Sequence, residues 1–352
     1  MGDFIQLFSA QSKPDEAFFL EKGEVYFFIS EGDKYAIKGK NLIIGSTEIL
    51  LNRFLEIGSN RLETAVTNKN SIIKRLPIDK FLSSLYSYSF ILNVSMVIAK
   101  QVFLSNQIID RNLKGMKSGD DRVKEIALEY YRIILRLKKE YDKRRLPWLK
   151  DIITTYETSL TFKRGEAFGR ASEQSRINSE VALSDKLIEF PKDSIICEEE
   201  TVGEEMYILQ SGTIDVYIKG NKVVSLNETG SVFGEMALLL GTKRTATLKA
   251  RSNVVLTRIA KKDLREVAEK QCDILIDVVS SLAKKHYLNV QKISSINQLL
   301  VEQEIDREFK EQEKQKINTQ RMYSELLSLK NTIEEACESH DADFLSDMVD
   351  QF

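Results

Sequence analysis

Four prolines, two histidines, three cysteines and one tryptophan are few for 352 residues, and each scarcity removes a class of protein. His286 and His340 are too far apart in sequence to form a His-x-x-x-His metal pair. Cys197, Cys272 and Cys337 are odd in number and widely spread, which excludes a disulfide framework and fits reduced thiols in a cytoplasm. Charge of one sign is also missing. Lys and Arg number 51 against 53 for Asp and Glu, a formal charge of −2, so nucleic acid or an anionic membrane surface is not the expected partner. No long apolar run stands out. Phe90 to Leu104 comes nearest, but Asn93, Ser95, Lys100 and Gln101 interrupt it, and a bilayer span takes ~20 apolar residues. A buried helix is expected there. The first residues, Met1 to Gln6, hold neither a basic stretch nor an apolar one, so a secretory leader is not expected and the chain is placed in the cytoplasm.

What is present is 42% apolar and 30% charged residues, the balance of a globular protein with a strongly charged helical portion. The length suits about two domains with an extension. An internal repeat supports this. Pro14–Tyr26 matches Gly203–Asp215 at a separation of 189 residues, and the same separation carries Ile44–Leu51 onto Phe233–Leu240. Further along the separation falls to 183, pairing Arg61 with Arg244 and Phe81 with Leu264, so the first copy holds six extra residues in one loop. Each copy has short β-branched segments punctuated by glycine, as in Ile214–Ile218 and Val254–Ile259, which predicts an antiparallel roll. Between the copies, Phe81 to Leu160 carries helical periodicity, with Asp120 or Asp121 as N-cap and a break at Pro147. Residues 163–179 read as an irregular connector. Asp273 to Leu300 is amphipathic, whereas Glu302 to Arg321 is either a solvated helix or a loose spacer. Glu334 to Phe352 reads as an acidic tail, with a short docking helix as the other reading.

The chemistry concentrates in Gly230–Leu248. A glycine turn allows close backbone approach, and a helical turn starting near Met236 aims unpaired N–H groups outward, which suits an anion. Arg244, nine residues after Glu235, offers a planar fork for a phosphate. Glu235 would repel a phosphate but can accept from a ribose hydroxyl. A phosphate clamp and a ribose acceptor within a roll describe a ribonucleotide site. No phosphate-binding Gly-x-x-x-x-Gly-Lys loop, Gly-x-Ser-x-Gly elbow or metal-ligand cluster is found, so catalysis is not expected.

Residues 233–247 resemble the phosphate-binding cassette of the cyclic nucleotide-binding domain family, Phe-Gly-Glu-x-Ala-Leu-Leu followed after a short loop by Arg-(Thr/Ala/Ser)-Ala. Lys243 stands where many members carry proline. The resemblance covers about 187–300, with Gly203, Gly212 and Gly230 at family turns, and 4–110 match more weakly. It implies an α+β fold of two jelly-roll-like β-rolls joined by a helical segment, with a long helical C-terminal extension. The expected divisions are 1–110, a degenerate copy; 111–180, linker; 181–300, the binding domain; and 301–352, a charged extension. The implied contacts come from Phe233, Gly234, Glu235, Met236, Ala237, Arg244, Thr245 and Ala246. Glu235 serves the ribose 2′-hydroxyl and Arg244 the exocyclic phosphate. Alignment with bacterial members adds Asn289 at the base, where it could meet adenine or guanine. The ligand implied is cAMP, with cGMP open, and no further cofactor or metal.

In the first copy Ser46 replaces the glutamate, Glu48 replaces the alanine, and Glu63 follows Arg61, which is expected to pair with Glu48 or Glu63. A scaffold that binds no nucleotide is expected. The output implied is a non-enzymatic sensor acting on an unidentified protein effector, or as a homodimer through helices after residue 270. The alternatives are a transcription regulator, for which Glu302–Arg321 has too few apolar residues to build a helix-turn-helix core, and a purely structural protein. The tandem layout resembles kinase regulatory subunits, but Lys143–Pro147 lacks the acceptor position of an inhibitor segment.

Overall fold

The structure, a computed structural model, describes residues 4–115, 121–169, 175–176, 186–218, 220–308 and 313–340. It divides into two compact units, each assembled from two stretches of chain: residues 1–108 with 172–291, and 109–171 with 292–352.

In the first unit the N-terminal copy opens with β1 (Phe4–Phe8), β2 (Glu16–Phe28) and β3 (Lys34–Ile44), followed by helix α1 (Thr47–Phe54). β4 (Thr64–Asn68), β5 (Ile72–Pro77), α2 (Ile78–Ser84) and the long α3 (Tyr88–Gly115) complete it. All its strands pair antiparallel in one sheet, β1-β4-β2-β3, with β5 also on β2. Alternation along β2 puts Ala17, Leu20, Val25 and Phe27 inside.

The second copy repeats the order. β6 (Ser175–Arg176), β7 (Leu187–Phe190) and β8 (Ile195–Cys197) precede β9 (Glu205–Ser211) and β10 (Ile214–Ile218). Then come β11 (Asn221–Leu226), β12 (Ser231–Phe233), α7 (Glu235–Leu240), β13 (Thr247–Ala250) and β14 (Val254–Ala260). Two antiparallel sheets result, β11-β10-β13-β8 and β6-β12-β9-β14-β7. They enclose Leu209, Ile214, Phe233, Leu248, Val254 and Leu256. β9 and β10 together correspond to the single long β2. A 3-10 turn at Lys261–Asp263 leads to α8 (Leu264–Lys270) and α9 (Cys272–Glu308).

The two copies share one apolar core. Ile49, Leu50, Ile91, Val94 and Ile98 from α1 and α3 join Leu238, Val267, Ile274, Val278 and Leu282 from α7, α8 and α9. Equivalent helices of each copy thus bury their apolar faces in a common layer, which fixes the cassette helix against the first copy.

Around residues 90–104 the structure places the expected helix, α3, with its apolar face in the core of the first unit. Residues 88–113 are long enough, and over their most apolar 18-residue window (mean hydropathy 1.3) apolar enough, to cross a membrane by length and composition alone. Half of that window is buried inside the protein, where Ile91, Val94, Ile98, Ala99 and Val102 pack.

In the second unit α4 (Asp121–Arg144), α5 (Pro147–Tyr156) and α6 (Leu160–Phe168) pack with α10 (Glu313–His340). Pro147 opens α5 in its first turn, the position where a missing N–H costs nothing. Its core holds Tyr130, Ile134, Leu137, Leu149 and Phe162 against Met322, Leu326, Leu329 and Ile333. Residues 163–168 are therefore helix and not the irregular connector expected. Ser159 caps α6 by accepting from the Phe162 N–H at 3.1 Å, and Phe162 and Ala167 bury one face. The expected N-cap at Asp120 and the acidic tail beyond His340 lie outside the described residues; α10 carries the start of that tail as helix.

Candidate functional site: the cassette of the second roll

Strand β12 delivers the chain to Gly234, whose φ of 81° lies in the left-handed region where a Cβ is penalised. Helix α7 starts at the next residue and ends on another left-handed glycine, Gly241. This tight turn brings Glu235 and Arg244 under cover in the same roll. Glu235 is 3% exposed and Arg244 6% exposed.

Arg244 is held from several sides. Its Nη1 donates to the Gly234 carbonyl at 3.0 Å, and its guanidinium lies 5.6 Å from the centre of the Tyr207 ring. Its backbone N–H donates to Thr201 O at 2.7 Å and its carbonyl accepts from Glu200 N at 2.9 Å, so the neighbouring loop fixes the arginine's start. Gly203 lies so close that an added Cβ would stand 2.5 Å from Ala237 Cβ and 2.8 Å from Arg244 Nε. Among the described residues no carboxylate forms an ion pair with Arg244. Its guanidinium thus has no internal counter-anion among the described residues.

Tyr207 forms the floor. It stacks on Phe233 with centroids 5.5 Å apart and donates to Glu205 Oε2 at 2.7 Å. Burial first, then the bond to Glu205, pushes its phenol well above the ordinary range, so it remains a neutral donor. Ala237 is buried beneath the cassette, and Met236 turns into the core shared with the first copy. Thr245 is exposed and Ala246 half-buried at the loop's end.

Glu235 is engaged by a residue that the sequence did not single out. Lys285, fifty positions later on α9, forms an ion pair with Glu235 Oε1. No spacing or motif connects the two; only the packing of α9 does. Asn289, expected at the base, is bonded to the first copy. Its amide donates to Ser105 Oγ at 2.9 Å and Asn106 Oδ1 at 3.0 Å on α3 of the first copy. Phe233 to Ala246 thus lie together in the cassette, and Asn289 sits on α9 four residues after Lys285, bonded to α3.

The first copy shows what the same scaffold does with altered residues. Gly45, at φ 78°, replaces Gly234, and Arg61 Nη1 donates to its carbonyl at 2.6 Å. The same nitrogen lies 3.0 Å from Glu48 Oε2, while Glu48 Oε1 accepts from the Leu62 N–H at 3.0 Å. Of the two partners open to Arg61, Glu48 is the one used. Glu63 turns instead to Tyr35 and His286. A carboxylate on the equivalent of Ala237 thus takes the guanidinium and a backbone donor, the contacts an anionic ligand would need. Among the described residues no group of three or more His, Cys, Asp or Glu forms a metal-ligand cluster.

The site is thus a roll with a cassette helix and two buried side chains of opposite charge, Glu235 and Arg244. Residues 187–271 match the family model described as "Cyclic nucleotide-binding domain". A regulatory subunit of cAMP-dependent protein kinase from Candida albicans is 34% identical over 111 residues, 31% of this chain and 24% of that protein. The human potassium/sodium hyperpolarization-activated cyclic nucleotide-gated channel 2 is 34% identical over 110 residues, 29% of this chain and 12% of the channel. The chain thus spans about a quarter or less of the length of these relatives. Among solved structures, one described as "cAMP bound PfPKA-R" is 17% identical with a TM-score of 0.26, covering 76% of this chain and 71% of that one. Another, "Sp-2Cl-cAMPS bound to PKAR CBD2", is 27% identical with a TM-score of 0.23, covering 26% and 61%.

Proposed function

We propose that the chain is a non-enzymatic receptor whose second roll binds one cyclic purine mononucleotide, cAMP first, and passes the event through α9 to a protein effector or a second copy. Arg244 takes the exocyclic phosphate oxygens, and Glu235 accepts from the ribose 2′-hydroxyl. Gly234, Ala237 and Thr245 supply backbone or hydroxyl contacts beside Phe233, Met236 and Ala246. The observation that carries this reading is the contrast between two equivalent arginines. Arg61 is neutralised by Glu48, whereas Arg244 is buried on Gly234 with no carboxylate paired to it among the described residues. A buried guanidinium without a counter-charge is costly unless an anion arrives. The names of the kinase subunit and of the channel support a cyclic nucleotide, and that of the subunit favours cAMP.

The first roll is scaffold in this reading, since its arginine is already paired. Calorimetric titration with cAMP and with cGMP tests both halves. One nucleotide per chain is expected, and Arg244→Ala should weaken binding at least about tenfold, the loss of one bond to a charged group. Equal affinity in the variant, or two sites per chain, would refute it.

A further inference from the structure

Helix α9 carries Lys285, His286 and Asn289 on one face, within about 100° of the helix circumference. Each makes a specific polar contact. Lys285 pairs with Glu235 of the cassette. His286, fully buried, places Nε2 3.0 Å from Glu63 Oε2 of the first roll and lies edge-on to Tyr35 at 6.3 Å between ring centres. Asn289 donates to Ser105 and Asn106 on α3. Adjacent residues of one rigid helix thus hold the ribose acceptor of one roll and the interior of the other.

We infer that Lys285 is an intramolecular competitor for the ribose acceptor, kept in place because the first roll seats α9 through His286 and Asn289. The inference rests on the receptor reading above. An ammonium on Glu235 is a charge-assisted partner, and a ribose hydroxyl must displace or share it. Only the fraction of molecules with Lys285 withdrawn then binds at full strength, which lowers the apparent affinity by that fraction. The seat is firm but incompletely matched. Tyr35 donates to Glu63 at 2.8 Å and accepts from Gln101 at 3.1 Å, fixing the carboxylate that meets His286. Glu63 Oε1 and His286 Nδ1 are nonetheless buried without a partner among the described residues. Unmatched buried atoms weaken a contact relative to a fully paired one, so α9 can leave this seat. The Arg61–Glu48 pair neutralises the first roll's arginine from within, so the seat does not depend on a second nucleotide.

The test is calorimetric titration of the full chain with cAMP and with 2′-deoxy-cAMP, on wild type, Lys285→Met, Glu63→Gln and Arg244→Ala. Lys285→Met should bind cAMP about three- to tenfold tighter, discounting the ion pair for its partial exposure. The gain should be smaller for the 2′-deoxy analogue, which makes no claim on Glu235. Glu63→Gln should also tighten cAMP binding although it touches nothing in the cassette, and it carries the test should the lysine variant fold poorly. Wild-type or weaker cAMP affinity in Lys285→Met, with binding lost in Arg244→Ala, overturns the competitor and leaves the receptor reading intact. Tighter binding in Lys285→Met with no change in Glu63→Gln overturns the seat on the first roll. Undiminished binding in Arg244→Ala, or no binding by any chain, overturns the receptor reading and the competitor with it.

Discussion

Removing Arg61 tests whether it is a structural arginine, in contrast to the ligand-binding role proposed for Arg244. The Arg61 side chain is 1% exposed and that of Glu48 4% exposed, at 3.0 Å. It also donates to Gly45 O and Glu16 O and lies 4.3 Å from the centre of the Phe8 ring. Arg61→Met leaves the Glu48 carboxylate buried with the Leu62 N–H as its remaining described partner. Breaking one side of a buried pair costs about 3–5 kcal/mol, because the other charge is left uncompensated. In a unit of this size each kcal/mol moves the melting point by about 2–4 °C, so a fall of roughly 6–20 °C is expected. Adding Glu48→Leu removes the stranded charge and should restore most of that loss, since apolar replacement of a whole buried pair is often neutral. Arg244→Ala, which strands no carboxylate, should melt within about 3 °C of wild type while losing the nucleotide. Differential scanning calorimetry of the four chains reads this directly. A melting point for Arg61→Met near wild type, or a double variant no better than the single, would refute the claim that Glu48 needs Arg61.

Two further outcomes follow from close contacts elsewhere in the same unit. Gly203→Ala pushes a Cβ to 2.5 Å from Ala237 and 2.8 Å from Arg244 Nε, so the guanidinium must shift and cAMP affinity should fall at least about tenfold; an unchanged titration would show that the arginine's position is not critical. Tyr35 has its phenol pushed well above the ordinary range, by burial first and the Glu63 charge next. The unfolded chain therefore loses this proton first, and stability present below pH ~10 declines as the pH rises past it. Tyr35→Phe should flatten the fall of melting temperature between about pH 10 and 11, and an identical slope would contradict that assignment.

The rolls and the cassette were legible because they are written in local pattern. Glycines 212, 230 and 234 mark turns, β-branched runs mark strands, and Glu235 and Arg244 sit nine residues apart in one continuous motif. The repeat even located the pairing of Arg61 to one of two carboxylates. What escaped is what depends on distant packing. Nothing around Lys285 signals that it meets Glu235, and Asn289 reads equally well as a base contact until α3 appears beside it. Nor does linear order show that 109–171 and 292–352 assemble into one compact unit, because helical periodicity identifies an apolar face but not its partner.

On the receptor reading, the two rolls are one scaffold used once as a fixed body and once as a responsive one. Both place an arginine on the carbonyl of a left-handed glycine, so the backbone device is common. The difference is the residue one turn into the cassette helix. Where it is Glu48, a carboxylate sits on the arginine permanently at no entropic cost of association. Where it is Ala237, no carboxylate among the described residues pairs with the arginine, and on the proposed reading a diffusible anion takes that place. A responsive roll needs something rigid to respond against. The self-paired roll meets that need: it presents Tyr35, Glu63 and Gln101 as one buried hydrogen-bonded group to α9 whatever the nucleotide concentration. On the proposed reading the first roll thus serves as a fixed reference for α9, and it takes both Glu48, which pairs with Arg61, and Glu63, which meets His286, to make it one.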